Sequence, residues 1–492
     1  MRRPLASALA GLSLASLGLA GCTLEPHYAR PAPAIPTTWP TGPAYAPAQT
    51  KAQTEAQTEA LPALSYRDVF RDPRLLKLID QALAQNQNLR AALANVEIAR
   101  GEYHIQRAQL FPSLDAEASS GQARARQGSA GLSAAPVTTR SQQADLAAAF
   151  EVDLFGRLRS LSHAAQEQYL ASEAGARAAR LTLVSEVAQA YVTLAADRTQ
   201  LSVATDTMAS AERTVALTKA RLEGGVAART DLAQAQTLLE QARSDEAQLT
   251  TQVAQDRNAL ELLVGAPVQD ASLPTGIEDV DGKLAEAPAG LDSRILLRRP
   301  DVLEAEHRLR AANAQIGAAR AAFFPTISLT GLAGYASPAL SGLFGGRNTI
   351  WQAQGAATQS IFAGGANVAG LAEAHGEKHL ALANYQLAVQ TAFRDVADAL
   401  ARRGTMQRQL TAQQALFAAA TNSYDLSFAR YKEGIDTYLA VLVTQRTLYT
   451  ARQSLTEARL LRAENLVALY LALGGDPLID AMPVDGPPRA AS

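Results

Sequence analysis

Apolar residues recur with a 4,3 spacing along two stretches of the chain, beginning at Leu232 and at Val441. The first stretch places mostly leucine, alanine and valine on one stripe, and the same frame shifted by 209 positions gives a similar stripe. This spacing is typical of helices that pack along a coiled-coil seam, where alanine allows the helix axes to approach closely. A single such helix also fits an ordinary bundle core. Two matched copies favour an extended coiled-coil assembly.

The two stretches belong to longer segments, Ala220–Gly265 and Ala429–Gly474, which align without a gap at an offset of 209 (429 minus 220). Both segments contain the same residue at eleven aligned positions, the first copies being Ala220, Arg221, Gly225, Gln236, Leu239, Ala242, Arg243, Ala254, Ala259, Leu260 and Gly265. Each segment predicts a helix, a tight turn and a second helix, with Gly224, Gly225 and Gly434 at the turns, because glycine tolerates the positive φ of a reversal. Ungapped identity of this extent predicts an internal duplication.

Alternation of apolar and polar residues predicts four strands, each with one apolar and one polar face. The first two strands are expected at 113–119 and 144–155, and the other two at 327–335 and 351–357. The segment 121–141 is rich in glycine, serine and arginine and is expected to form an exposed loop.

Proline is absent from 137–266 and from 339–476, and these segments carry the longest predicted helices, 157–223 and about 366–431. A shorter helix is expected at 294–317. A helix of this length would extend on the order of 100 Å, which exceeds an ordinary domain and indicates a rod or tunnel. The expected fold is therefore mainly α with a small β part.

The N-terminus has the features of a targeting segment, with Arg2 and Arg3 before an apolar run that ends at Leu19-Ala20-Gly21-Cys22. This ending resembles the bacterial lipobox, which implies cleavage before Cys22 and a diacylglycerol and palmitate on that residue. In the lipoproteins that this segment resembles, aspartate after the cysteine favours the inner membrane, so the resemblance implies the outer membrane for a chain with Thr23. A plain secretory signal with an incidental cysteine is the alternative. Cys22 is the only cysteine, so the mature chain cannot form an internal disulfide.

These features predict six regions in order. They are a lipoprotein signal peptide at 1–21, a lipidated Pro/Ala-rich linker at 22–65, a first structural repeat at 66–267, a connecting segment at 268–293, a second repeat at 294–475, and a tail at 476–492.

Composition excludes several classes of function. The net charge of −2, with 19% charged residues, leaves no basic surface for nucleic acid. The sequence has no P-loop, no GxSxG motif and no Cys/His cluster, so no enzyme or cofactor is predicted. His375 and His379 lie four residues apart and could hold a metal. A solvated helix face is the favoured interpretation, because no third ligand is apparent.

The motif Leu297-Arg298-Arg299-Pro300-Asp301-Val302, continued by Phe323-Phe324-Pro325, resembles the outer-membrane factor family of TolC/OprM-like efflux channels, in its NodT-type lipoprotein branch. Phe70-Arg71-Asp72-Pro73 and Val396-Ala397-Asp398 carry the same resemblance. It implies a homotrimer in which four strands per chain close a 12-stranded outer-membrane β-barrel, continued by a long antiparallel α-helical barrel. Four strands alone leave open edges, and this agrees with closure by oligomerisation.

The resemblance also implies two functional regions. A periplasmic gate is expected where Asp398, Arg402 and Arg403 lie on the second long helix, with Gln189 at the position that matches Asp398 in the first copy. An i, i+4 surface pair of Asp398 with Arg402 is the simpler interpretation. Tips that dock a periplasmic adaptor are expected at the turns, with Gly224, Gly225, Gly434 and Asp436, although turn chemistry alone explains these glycines.

Together these expectations describe a passive exit duct of a tripartite efflux system, with an adaptor and an inner-membrane RND transporter as partners. A type I duct for protein secretion is the first alternative. A periplasmic coiled-coil lipoprotein that only spaces the envelope is the second, and it predicts no conductance.

Overall fold

A computed structural model describes residues 23–33, 35–45, 65–126, 136–286, 293–474 and 476–483. The predicted signal peptide and Cys22 lie outside these residues. The elements are, in order, α1 Tyr66–Val69, α2 Pro73–Gln85, α3 Gln87–Ala108, β1 Ser113–Arg126, β2 Pro136–Val152, α4 Arg157–Glu223, α5 Arg229–Val264, α6 Ile277–Val280, α7 Pro300–Ala321, β3 Thr326–Ser337, β4 Thr349–Thr358, α8 Ala366–Lys432, α9 Tyr438–Leu473 and α10 Pro477–Asp480. Short 3-10 turns occupy Asp270–Ser272, Ser293–Arg298 and Leu340–Gly342.

The internal duplication is confirmed by the helix bounds. α8 begins and ends 209 residues after α4 (366 minus 157, 432 minus 223), and α9 begins and ends 209 residues after α5 (438 minus 229, 473 minus 264). The predicted long helices are therefore present, and the second ends one residue later than expected. Identical offsets at all four pairs of bounds mean that the two hairpins of long helices have the same construction.

The four strands form one antiparallel sheet in the order β1-β2-β3-β4. The register aligns Ala116, Leu146, Ala333 and Trp351 in one row across the sheet. These residues belong to the apolar set of each strand, so the predicted alternation gives the sheet one continuous apolar face. Leu146 and Trp351 on this face are 52% and 81% exposed.

The prediction of an exposed loop at 121–141 is wrong at both ends of that segment. Residues 121–126 continue β1 and residues 136–141 begin β2, with Gln122 paired to Arg140 in the ladder. The composition has low strand propensity, but the backbone hydrogen bonds of an antiparallel pair do not depend on the side chains, and the ladder extends through it. Residues 127–135 lie outside the described part of the chain.

The helix expected from Arg294 begins later than predicted. Residues Ser293–Arg298 form a 3-10 turn, and α7 starts at Pro300. Proline suits the first position of a helix because its missing N–H has no intrahelical acceptor there.

The chain divides into two compact units. One consists of Met1–Pro31, Glu97–Ala171 and Ala305–Tyr385, and it contains the sheet. The other consists of Ala32–Val96, Ser172–Glu304 and Gln386–Ser492, and its core is built around fully buried Tyr191 and Phe70 with the leucines and valines of α2, α4 and α9. Within the described ranges, no helix combines the length and the apolar content that a membrane crossing requires.

Candidate functional site

The two predicted turns of the long hairpins have the same backbone geometry. Gly225 and Gly434 adopt φ values of 74° and 78°. In each turn the amide one residue later donates to a carbonyl five residues back, Val226 to Arg221 and Ile435 to Arg430, both at 2.9 Å. This is a Schellman-type helix end, which requires the left-handed conformation that glycine adopts without strain. Gly224 does not have a positive φ, so only one glycine of the first turn is required by geometry.

Each turn presents an apolar side chain to solvent. Val226 and Ile435 occupy equivalent positions and are 70% and 63% exposed. Asp436, which follows Ile435, accepts from Arg430 at 2.7 Å. This hydrogen bond lowers the pKa of the Asp436 carboxyl group. The second turn is therefore held by an ion pair as well as by its backbone.

The ends of the two hairpins are joined to each other through Tyr431 of α8. Arg221 of α4 donates to the Tyr431 carbonyl at 2.6 Å, and its guanidinium lies 4.6 Å from the centre of the Tyr431 ring. Thr218 also lies within hydrogen-bond distance of the Tyr431 hydroxyl, at 3.2 Å. These contacts fix the two turns side by side.

The predicted gate residues do not all lie together. Asp398 and Arg402 are both exposed and line one cavity of about 390 Å³, with Asp395 and Arg299. Among the ion pairs of the described residues, none joins Asp398 to Arg402 or to Arg403. Arg403 instead pairs with Glu286 of the connecting segment, at 3.0 Å. The expected pairing of Asp398 within its own chain is thus not formed.

Sequence reasoning missed Asp395 as a charged member of this cavity. Its carboxylate lies 3.7 Å from Arg299 and 2.8 Å from Arg394. Arg299 also donates to the carbonyl of Ala472 at the end of α9. Arg299 belongs to the motif at 297–302 that carries the family resemblance, so the sequence does single it out. Its partner Asp395 lies almost a hundred residues later, and no sequence pattern connects the two.

Gln189, the counterpart of Asp398 in the first repeat, makes a contact between repeats. Its side-chain amide donates to the Glu464 carboxylate of α9 at 2.7 Å. Gln189 also lines a second cavity, of about 510 Å³, between α4 and α5.

The two cavities are copies of each other. Glu186, Gln189, Ala190, Thr193, Asp256, Ala259 and Leu263 line the cavity of the first repeat, and the residues 209 positions later, Asp395, Asp398, Ala399, Arg402, Asn465, Ala468 and Ala472, line that of the second. We name them the first groove and the second groove. These lining positions correspond while their charges differ: the first groove is acidic, and the second contains both arginine and aspartate.

Asp256 of the first groove lies beside Asp197 of α4. Burial and the hydrogen bond between the two carboxyl groups raise the pKa of Asp197 to about 7. Asp197 therefore keeps its proton at mildly acidic pH and loses it near neutral pH, because a carboxylate beside Asp256 is repelled by it.

The residues that follow Cys22 pack against helices of the sheet-containing unit. The Leu24 carbonyl accepts from Arg320 at 3.1 Å, and the Glu25 carboxylate lies 3.0 Å from His163. Hydrogen bonds with Glu167 and Glu25 raise the pKa of His163 to about 10. Burial opposes ionisation of Glu167, but its hydrogen bonds with His163 and His307 lower its pKa to about 2. The segment is thus held by charged groups at neutral pH.

The described residues contain no group of three or more His, Cys, Asp or Glu side chains that could hold a metal ion. His375 and His379 lie on α8, where His379 is exposed.

Comparisons with known proteins agree with the fold and its two repeats. The sequence profile of the outer membrane efflux protein family matches residues 78–266 and 291–475, which together form most of the chain. The chain is 41% identical over 461 residues to the solvent efflux pump outer membrane protein SrpC of Pseudomonas putida, covering 94% of this chain and 97% of the relative. It is 39% identical over 475 residues to outer membrane protein OprJ of Pseudomonas aeruginosa, covering 96% and 97%.

A solved structure shows the same fold. The open state of the Neisseria gonorrhoeae MtrE outer membrane channel matches with a TM-score of 0.79 and 37% identity, covering 92% of this chain and 99% of that one. Taken with the duplicated hairpins and the four-stranded sheet, these matches establish that the chain belongs to the outer membrane efflux protein family and is an outer-membrane channel component of an efflux system.

Proposed function

We propose that the chain assembles as a homotrimer and serves as the passive exit duct of a tripartite, RND-type efflux system. The observation that carries this proposal is the sheet, in which β1 and β4 each have one neighbouring strand and one open edge among the residues that the structure describes. Unpaired strand edges are a liability, and joining edges between copies satisfies them. Three copies give twelve strands, a number that closes as an outer-membrane barrel.

The two faces of the sheet support the same arrangement. The face that carries Leu146 and Trp351 is apolar and exposed in the single chain. The opposite face carries Asp115, Glu117 and Asp145 in the same strands. In a closed barrel the apolar face contacts lipid and the polar face lines the lumen. Acylation of Cys22 would add a lipid anchor to the trimer.

The hairpin turns are the proposed docking tips for the periplasmic adaptor. Both expose an apolar side chain, Val226 or Ile435, next to backbone that is fixed by a Schellman-type end. An adaptor that presents helices to these tips would link the duct to an inner-membrane transporter. The energy for export would come from that transporter, and we propose no catalytic role for this chain.

The proposed substrates are drugs and other small molecules. The relatives are named for efflux of solvents, toluene and antibiotics. These names favour small-molecule efflux over the alternative of a type I duct for proteins.

Asp398 is the proposed gate residue, together with Arg402, Arg403 and Gln189. The first repeat has the neutral Gln189 at the position of Asp398. Three copies would therefore bring three Asp398 carboxylates, and not six, to one level of the duct. Three carboxylates at one level repel one another and attract cations, so a closed gate needs a partner such as Arg402 or Arg403.

The experiment is single-channel conductance of the purified trimer in a planar bilayer, with wild type beside Asp398→Ala. We expect small, flickering currents from wild type. The conductance of the variant should be at least about twofold higher, because the charged contacts of Asp398 that would hold the gate closed are removed. Glu433→Ala, which removes an exposed carboxylate at the second turn, is the matched control and should leave the conductance near that of wild type.

The outcomes separate the candidate functions. A trimer without conductance in either form would leave the non-transporting envelope scaffold as the better explanation. Equal conductance of wild type and Asp398→Ala, at equal trimer yield, would remove the gate assignment and keep the duct.

A further inference from the structure

The apolar face of the sheet has a defined height. In β2 it consists of every second residue from Val152 to Ala144, and the partners of these residues in β3 run from Ile327 to Tyr335. Eight residues (152 minus 144) extend about 27 Å along a strand, or about 21 Å across a barrel wall whose strands tilt by roughly 40°. This height is close to the apolar band of about 25 Å that faces lipid in an outer-membrane barrel.

Aromatic side chains mark one limit of this band. Tyr335 pairs with Ala144, and its ring contacts that of Phe344 edge to face, with the ring centres 5.5 Å apart. Phe344 is 74% exposed. Aromatic side chains concentrate where the hydrocarbon of a membrane meets the headgroups. Because the helices join the opposite ends of the strands and lie in the periplasm, the strands pass Tyr335 toward the outer leaflet.

The sequence beyond this limit carries only positive charge. The segments 118–144 and 335–349, which we call the hairpin ends, contain no aspartate, glutamate or lysine, although the whole chain has 47 acidic residues among 492. They contain the four arginines Arg124, Arg126, Arg140 and Arg347. The charge of the hairpin ends is therefore not compensated within them.

Two of these arginines lie on the same face as the apolar band. Arg140 is four residues from Ala144 along β2, and an even spacing keeps both on one face, because successive residues of a strand face opposite sides. Arg124 of β1 pairs with Thr138, two residues from Arg140, so it lies on that face as well. The two arginines are diagonal neighbours, with their Cα atoms about 7–8 Å apart. Both side chains are exposed.

Arg140 lies at the level of the lipid headgroups. Four residues beyond Ala144 place it about 14 Å farther along the strand, or about 10 Å above the apolar band. With the Gln122 amide turned so that its oxygen faces β2, that oxygen accepts from the Arg140 guanidinium at 3.2 Å. A neutral amide orients the guanidinium without cancelling its charge. Within the described part of the chain, neither Arg124 nor Arg140 forms an ion pair.

We propose that Arg124 and Arg140 bind a phosphate group of a lipid in the outer leaflet of the outer membrane. The proposal rests on the barrel proposed above and assigns a lipid-binding surface to its outer wall. A guanidinium binds phosphate oxygens through two parallel hydrogen bonds, and two guanidinium groups in diagonal positions can hold one phosphate between them. The acyl chains of the same lipid lie against the apolar band, where Leu146 is exposed.

The opposite face of the sheet does not offer such a site. In the ladder of β1 and β2 it carries Gly121 and Ser141 beside the arginines, and Glu117 and Asp145 nearer to the helices. The paired residues of these two strands place no lysine or arginine on that face. The positive charge of the ladder is therefore directed at lipid and not at anions in the lumen.

The test is native mass spectrometry of the purified, full-length, acylated protein in detergent. The probes are lipid A, a phosphorylated glycolipid, and the same lipid after removal of its phosphates. We expect the wild-type trimer to bind lipid A at least about tenfold more tightly than the dephosphorylated lipid, because charge-assisted hydrogen bonds to phosphate are strong. Arg124→Gln with Arg140→Gln should bind the two probes equally.

A relocated arginine tests the face as well as the charge. Arg140→Gln with Ser141→Arg keeps the net charge but moves one guanidinium to the opposite face, where Gly121 is paired with position 141 and leaves room for it. This variant should bind lipid A as weakly as Arg140→Gln alone. Arg90→Gln, which removes an exposed arginine of α3, is the matched control and should bind lipid A like wild type.

The outcomes separate this site from the duct itself. A wild-type trimer that binds both probes equally, or a relocated arginine that binds lipid A like wild type, would overturn the site and leave the trimeric duct intact. A wild-type protein that is not trimeric would instead overturn the proposed assembly. If the double glutamine variant does not assemble, Arg124→Gln and Arg140→Gln singly, each with both probes, decide the question by the same outcomes.

Discussion

Asp197 of α4 and Asp256 of α5 form a carboxyl–carboxyl contact between antiparallel helices. Burial and Asp256 raise the pKa of Asp197 to about 7, from an ordinary value of 3.8. A raised pKa means that the folded state binds the proton more tightly than the unfolded state. The contribution of protonated Asp197 to the free energy of unfolding is fully present below about pH 3.8 and is lost as the pH rises through about 7.

We therefore expect the wild-type protein to have a higher Tm at pH 5.5 than at pH 8, and Asp197→Asn to reduce this difference. At pH 8 the variant should melt about 1–3 °C above wild type, because an amide can donate to Asp256 without a charge. Circular dichroism melts at the two pH values measure this. Asp206→Asn, an exposed aspartate on the same helix, is the control. A pH dependence that is unchanged in Asp197→Asn would show that this contact is not its origin.

At the scale of residues, the sequence predicts backbone turns better than it predicts ion pairs between distant side chains. The turn glycines were predictable, because Gly225 and Gly434 stand at matched positions in duplicated hairpins. The partner of Arg403 was not, because Glu286 lies in an irregular segment more than a hundred residues earlier. Periodicity identifies which face of a helix is covered, but it carries no information about which distant charged side chain meets it.

At the scale of the elements, the sheet depends on one close approach between β2 and β3. Gly334 of β3 pairs with Asp145 of β2, and a Cβ at Gly334 would overlap the Ala144 carbonyl oxygen and the Asp145 backbone. These are backbone atoms of a paired strand and cannot move aside without disturbing the ladder.

Gly334→Ala should therefore destabilise the protein, by on the order of 2 kcal/mol, since overpacking at a rigid site costs this much. Gly346→Ala is the matched control, because a Cβ there meets nothing within 4 Å. The measurement is the yield of folded protein and its midpoint in thermal unfolding. Equal yields and midpoints for the two variants would mean that β2 and β3 separate more easily than their register indicates.

The elements themselves were predicted unequally well. Long helices without proline were located to within one residue, because composition and periodicity agree along their whole length. The lengths of β1 and β2 were underestimated, because glycine, serine and arginine between 121 and 141 conceal a ladder that depends on backbone pairing. The 3-10 turn at Ser293–Arg298 was missed because its sequence also fits the first turns of a helix.

At the scale of the whole molecule, the proposed trimer can be tested by charge. Gln189 of α4 donates to Glu464 of α9, and their counterparts 209 positions away, Asp398 and Gln255, would meet between neighbouring copies of the trimer. Gln255→Glu would place a carboxylate opposite Asp398 of the next copy, and like charges in contact repel. We expect the trimer to dissociate at a lower temperature, with a loss of about 1 kcal/mol per contact. Adding Asp398→Gln should restore the wild-type value, since the pair then has the amide and carboxylate found at Gln189 and Glu464.

The measurement is the temperature at which the trimer converts to monomer in native mass or gel assays. Gln248→Glu, two turns away on α5, is the control for an added charge at an exposed position. A single Gln255→Glu variant that dissociates at the wild-type temperature would contradict a contact between Gln255 and Asp398 of neighbouring copies.

The duplication has a consequence for how such a duct could widen. In the proposed trimer each chain contributes two hairpins of long helices, so three of the six junctions between hairpins lie within a chain, where the continuous backbone limits how far the hairpins separate. The other three lie between chains and have no covalent restraint. Their facing residues also differ, with Asp398 and Gln255 at one kind of junction and Gln189 and Glu464 at the other. Dilation should therefore begin at alternate junctions, so that a partly open passage has threefold and not sixfold symmetry.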